Sequence, residues 1–150
     1  KLKWEENFFC DYVEAFKLCQ IPGGMNKQQL ETFFLLIKKG PFLKGHHWPW
    51  LDELRGYTGS QVIDNLLKLA SIYKNENKPQ KVDGLAKRIL EYDDLNEEAI
   101  YLQIWTLLQA GNLHLAKFHF DTFRTKYHEM MGENYQMDYN EFVKTYSEEV

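Results

Sequence analysis

Five histidines, two cysteines and the two acidic pairs Asp93-Asp94 and Glu97-Glu98 are the residues from which this chain would have to build a reactive site. Adjacent His46 and His47 in a loop can chelate a metal, but no Cys or further His follows at ligand spacing. His114 and His119, five residues apart, would point about 140° from each other on a helix and so do not converge on one ion. No His-Glu-x-x-His pattern occurs. These patterns predict no metal and no cofactor. Cys10 and Cys19 fall on opposite sides of one expected helix, about 13.5 Å apart in rise, beyond disulfide reach. Two spare thiols fit a reducing, cytoplasmic setting.

The acidic pairs Asp93-Asp94 and Glu97-Glu98 are the candidates for acid–base work. They straddle a turn and a helix start, where carboxylates cap backbone N–H groups and oppose the helix dipole. Gly23-Gly24 and the Gly56/Gly59 pair lack the Lys-Ser/Thr context of a phosphate loop, and Gly59-Ser60 is not a nucleophile elbow. The chain therefore reads as non-catalytic.

Strand signals are nearly absent and helical periodicity runs almost throughout. A first helix is expected over Glu5–Cys19, with Phe9, Val13 and Phe16 on one stripe, ended by Ile21-Pro22-Gly23-Gly24. Asn26 caps a second helix, Lys27–Lys39, which Gly40-Pro41 stops. An irregular stretch through His46-His47-Trp48-Pro49-Trp50 leads into a short helix from Pro49 to about Tyr57. From Ser60 onward four helices follow. They are Ser60 to the Asn75–Lys78 turn, Pro79 to about Tyr92, Asn96-capped to Ala110, and Leu113–Met131.

Shifting the second pair of these helices back by 34 residues superposes Ile100 on Leu66, Ile104 on Ala70, Leu107 on Tyr73 and Gly111 on Asn77. The same shift places Ala116 on Val82, Phe120 on Ala86 and Phe123 on Ile89. A helix–turn–helix unit with this period is that of tetratricopeptide repeats. Two units need ends to close their exposed faces, so the helices before Ser60 and after Met137 are expected to cap the stack.

The predicted fold is all-α, a tetratricopeptide-like right-handed superhelix of antiparallel pairs with about seven or eight helices. One domain over 1–150 is expected: N-terminal helices and a Trp-rich connector (1–59), two repeats (60–131) and a capping helix (132–150).

The chain carries 150 residues, 44% hydrophobic and 15% aromatic, with 18 basic against 22 acidic side chains and a formal charge of −4. That composition suits a folded domain with a core of its own and excludes intrinsic disorder. No basic stripe appears, the densest being Lys38-Lys39 with Lys44, so direct nucleic-acid binding is not expected. The longest apolar run, Phe33–Ile37, is far short of a membrane helix. The start at Lys1 rather than Met reads as that of a fragment.

Over essentially its whole length the sequence resembles the bacterial transcriptional activator domain, the tetratricopeptide-like module that follows the winged helix in antibiotic-regulatory-type transcription regulators. The resemblance is carried by Lys39-Gly40-Pro41-Phe42-Leu43 with Trp50-Leu51-Asp52-Glu53-Leu54-Arg55, by Asp93 to Phe123, by Phe8 to Gln20, and by Gly132-Glu133 with the closing helix. Asp94 stands where that family usually has Pro, as does Met137-Asp138 before the last helix. The resemblance implies a non-catalytic interaction and regulatory domain, with DNA binding carried by a winged helix outside these residues. The alternative is a general tetratricopeptide adaptor for a peptide or partner domain, unconnected with transcription. Candidate partner-binding residues are Trp48, Trp50, Arg55, Tyr101 and Trp105. For the two tryptophans, burial that docks the opening helices is the leading expectation and an interface role the second. Tyr92, Tyr101 and Trp105 line the repeat groove or fill it. A homodimer through the aromatic surface is possible.

Overall fold

The computed structural model describes residues 10–41, 44–46 and 48–149, the side chains of 148 and 149 apart. Among these residues there are seven helices and no strand: α1 (Asp11–Cys19), α2 (Lys27–Leu36), α3 (Pro49–Asn75), α4 (Pro79–Ile89), α5 (Glu97–Gln109), α6 (Leu113–Met131) and α7 (Tyr139–Glu149). The contacts divide the chain into two compact units, 1–61 and 62–150, and the division falls inside α3.

In the first unit, α1 packs on α2. Cys10 is extended and precedes the helix, so α1 starts at Asp11, and the expected start at Glu5, with Phe9, lies outside the described residues. Asn26 caps α2 as its sequence predicts: its side chain accepts from the Gln29 N–H at 3.0 Å, and the Gln29 side chain accepts from the Asn26 N–H at 2.9 Å. Two long-range bonds tie α1 to the turn after α2. Tyr12 Oη donates to the Gly40 carbonyl at 2.9 Å, and Lys39 Nζ lies 2.7 Å from Asp11 Oδ2. Gly40 takes φ +87°, a turn conformation that glycine adopts without strain. The inward residues are Ala15, Leu30, Phe33, Ile37 and Leu51.

One expectation fails at α3. The helix from Pro49 and the helix from Ser60 are a single 27-residue element. Neither Gly56 nor Gly59 adopts a positive φ, so neither turns the chain. Each costs about 1 kcal/mol relative to Ala in a helix, a penalty that packing of Leu51, Val62, Leu66 and Leu69 outweighs. Hydroxyls in this stretch bond back along the helix: Thr58 Oγ1 donates to the Leu54 carbonyl at 2.7 Å and Ser60 Oγ to that of Gly56 at 3.2 Å.

In the second unit the 34-residue period holds bond for bond. At the end of α3, the Asn77 N–H donates to the Lys74 carbonyl and the Lys78 N–H to that of Tyr73; at the end of α5, Gly111 donates to Leu108 and Asn112 to Leu107. These are the paired bonds of a helix closed by a left-handed residue. Asn77 (φ 53°) and Gly111 (φ 74°) occupy that position in their respective turns. The superposed core residues Leu66 and Ile100, Ala70 and Ile104, Val82 and Ala116, Ala86 and Phe120, Ile89 and Phe123 are all buried. Packing runs α4 on α5 and α5 on α6.

Helix α7 packs on α5 through Phe142 and Tyr146, while Asn140, Glu141, Lys144 and Ser147 stay exposed, so a polar face ends the stack. Asp138 starts α7 by a reciprocal cap: its Oδ1 accepts from the N–H of Asn140 and of Glu141, and the Glu141 carboxylate accepts from the N–H of Asp138.

Candidate functional site

Asp93, Asp94 and Glu97, three of the four carboxylates flagged by the sequence, have structural partners. Asp93 Oδ1 accepts from the Leu95 N–H at 3.1 Å, Asp94 pairs with Lys126 at 2.7 Å, and Asn96 caps α5 by accepting from the Ala99 N–H at 3.0 Å. Glu97 holds a role that its sequence gives no sign of. Tyr135 Oη donates to Glu97 Oε2 at 2.5 Å, and Tyr146 Oη donates to the same oxygen. Burial first, and then this carboxylate, pushes the Tyr135 phenol far above its ordinary range. The three residues join the start of α5 to the segment after α6 and to α7. No periodicity in the sequence links positions 97, 135 and 146.

Among the described residues no three His, Cys, Asp or Glu side chains gather into a metal-binding set. His47 lies outside them, so the adjacent-histidine pair is described only at His46. Neither cysteine is in a disulfide; Cys10 lies just before α1 and Cys19 at its end.

The candidate partner-binding residues separate into two groups. Tyr101 and Trp105 belong to the second unit. Tyr101 is 3% exposed, with its ring tilted against Tyr146 and the Lys74 ammonium 4.9 Å from its centroid. Tyr101 therefore fills the core and presents no ring to a partner. Trp105 is half-buried against the same cluster, and Tyr92 is likewise half-buried.

Trp48, Trp50 and Arg55 belong to the first unit, and here the expectation of burial is overturned. Trp48 is 45% and Trp50 58% exposed. Leu51, next along α3, takes the inward position, and a helix that buries Leu51 turns its neighbour Trp50 about 100° away from that core. The rings of His46, Trp48 and Trp50 stack in a row, with centroids 5.0 and 5.7 Å apart and planes within 18° and 12° of parallel. Arg55 holds the base of this row: its Nη1 donates to the His46 carbonyl at 2.8 Å, with Asp52 Oδ1 at 3.5 Å. It acts as a positioning residue for the stack.

Trp50 also opens a stripe down α3. Leu54 and Tyr57 follow at i+4 and i+7, 38% and 66% exposed, and Gln61 Nε2 donates to the Tyr57 hydroxyl at 2.9 Å. Leu54 and Thr58 form one wall of an open groove of about 350 Å³ whose other wall includes Val13, Phe16 and Lys17 of α1 and Gln20 just after it. A second groove, sharing Cys10 and Tyr12 with the first, is lined by Lys39 and Lys44. The Lys39 ammonium beside Asp11 holds that carboxyl below the usual range, and Asp11 in turn raises Lys39. The spacing of Trp50, Leu54 and Tyr57 could have revealed this surface; the walls contributed by α1 could not be paired with it from sequence.

Compared with protein-family models, with curated proteins and with solved structures, the chain matches none of them. No helix among the described residues is long and apolar enough to cross a membrane.

Proposed function

We propose that this chain is a non-catalytic protein-interaction and regulatory domain of a bacterial transcription regulator, acting in the cytoplasm, with the DNA-binding part carried outside these 150 residues. The observation that carries the interaction reading is the exposed aromatic surface of the first unit. Trp50, Leu54 and Tyr57 stand outward on α3, a helix that has an inward face of its own, and Trp48 stands outward just before its first residue. Contiguous exposed apolar surface marks places that a partner covers, and Trp and Tyr dominate such contacts. The carboxylates tied up in caps, phenols and lysines support a non-catalytic role. The link to transcription rests on the resemblance carried by Lys39 to Arg55 and Asp93 to Phe123. The 34-residue repeat alone is equally at home in an adaptor unconnected with transcription.

One experiment separates these. The chain, fused to an unrelated winged-helix DNA-binding domain, is expected to change the output of a promoter bearing that domain's site. The Trp50→Ala/Tyr57→Ala form is expected to lose the change. Unaltered output from a folded fusion would leave the adaptor reading in its place. Tight binding of promoter-length DNA by the chain itself at moderate salt would overturn the division of labour.

A further inference from the structure

The groove between α1 and α3 has the form of a seat for a helix. Its first wall presents Val13, Phe16 and Lys17 of α1, the i, i+3, i+4 pattern of one helix face, continued by Gln20 at the C-cap, and its α3 wall presents Leu54 and Thr58 one turn apart. The seven-residue span from Val13 to Gln20 is about 10 Å long, two turns of a helix laid alongside it. The floor is apolar, through Val13, Phe16 and Leu54, and Val13 is 53% exposed.

The charge of its lining leans positive. Among the described residues, the lining of this groove and of the groove that adjoins it through Cys10 and Tyr12 carries Lys17, Lys39 and Lys44 against Asp11, with Glu14 beside Lys17. Lys17 and Lys39 are paired with Glu14 and Asp11 at 2.6 and 2.7 Å, but with the ammonium groups largely in water. Such surface pairs are worth about 0–1 kcal/mol, so a partner's carboxylates can exchange into them at little cost. Resting on the interaction reading above, we infer that the α1–α3 groove binds an amphipathic helix with an apolar face and acidic flanks, supplied by a partner protein or domain. The apolar face would lie on Val13, Phe16 and Leu54, and the acidic flanks would meet the lysines, which favour encounter and select against basic helices.

The test uses the full chain and two fluorescent peptides of about 15 residues, roughly four helical turns, with leucines at i, i+3, i+4 and i+7. One carries glutamates at its remaining charged positions and its twin carries lysines. The acidic peptide is expected to bind about tenfold tighter than its twin, a preference that shrinks as ionic strength rises from about 0.05 to 0.5 M. Val13→Asp, a change at an exposed position with folding checked by circular dichroism, should weaken the acidic peptide about tenfold or more. Lys17→Glu/Lys44→Glu should erase the preference between the twins. Equal binding of both peptides, binding of neither, or unchanged binding by both variants would overturn the inference. So would a concentration-dependent dimer abolished by Val13→Asp, which would give the groove to a second copy of the chain. Peptide binding with a silent promoter fusion would retain the groove and remove the regulatory reading. A responsive fusion with no groove-dependent peptide binding would do the reverse.

Discussion

In the second unit Phe120 lies fully buried among Phe123, Tyr135, Tyr139 and Phe142, with ring centroids 5.0 to 6.3 Å away. In the first unit, among the described residues, Trp48 and Trp50 stack on each other and Trp48 on His46, and Tyr57 stands out beyond them. Among the described residues 19 of the 24 buried hydrophobic side chains lie in 62–150 and five in 10–61. The same residue types thus end in opposite places. A helix–turn–helix unit followed by a copy of itself offers each large ring a hole shaped by its neighbour, and α7 closes the last one. The helices of 10–61 have no copy in register, so the aromatics on the outer face of α3 meet no such hole. An aromatic-rich composition therefore says little about whether rings hold a fold together or face a partner, and the repeat alone does not decide it either: Phe33 is buried outside the repeats and Phe118 is exposed within them.

The sharpest way to break this contrast is at its centre. Phe120→Ala removes the ring that four others surround, and it should cost about 4 kcal/mol, read as a fall in the denaturant midpoint. A cost near zero would mean that the second unit does not depend on its aromatic core.

Next in size is Glu97→Gln. It replaces the charged acceptor of two phenols, and hydrogen bonds to a charged group are worth about 2 kcal/mol. The same cluster sets a pH dependence. The folded state raises the Tyr135 phenol above its ordinary 10.0, so the folded chain keeps a proton that the unfolded chain releases first. The resulting stability is complete below about pH 10 and is lost as pH climbs above it. Unfolding midpoints from pH 7 to 11 should hold level and then decline, and Tyr135→Phe should flatten the decline.

How much of this contrast was legible follows from what local sequence encodes. Caps and turns are short-range chemistry, so Asn26, Asn96, Pro79 and Gly111 marked their helix ends correctly. The period aligned the core of the second unit because both copies face the same packing problem. The expected break between Tyr57 and Ser60 does not occur because glycine is a weak breaker: where the flanking residues bury well, the helix runs through Gly56 and Gly59. The fate of Trp48 and Trp50 was decided by Leu51, and which of two adjacent helical residues turns inward depends on contacts distant in sequence. Glu97, Tyr135 and Tyr146 meet only through tertiary structure, and nothing local announces them.

A smaller effect sharpens the repeat itself. Gly111 sits at φ 74° with nothing within 4 Å of where a Cβ would stand, so Gly111→Ala meets backbone strain and no clash. A loss of about 1 kcal/mol is expected, measured by thermal unfolding. The matching Asn77, at φ 53°, already tolerates this conformation with a side chain, so Asn77→Gly should be nearly neutral. Equal costs at the two positions would show that the turns are not equivalent.

The smallest effect belongs to the first unit and is the most informative for function. Trp50→Ala deletes a larger ring than Phe120→Ala does, yet Trp50 is 58% exposed and its ring contact is with Trp48, itself exposed. Surface substitutions of this kind shift stability by about 0.5 kcal/mol or less. The unfolding midpoint should therefore barely move, while the tryptophan emission of the folded chain changes as the stack loses a member. A stable, folded Trp50→Ala chain that loses its effect in the promoter fusion would place the ring's worth in what it meets outside the chain. A loss of several kcal/mol would mean instead that Trp50 packs as Phe120 does, and the contrast between the buried Phe120 cluster and the displayed Trp48–Trp50 stack would disappear.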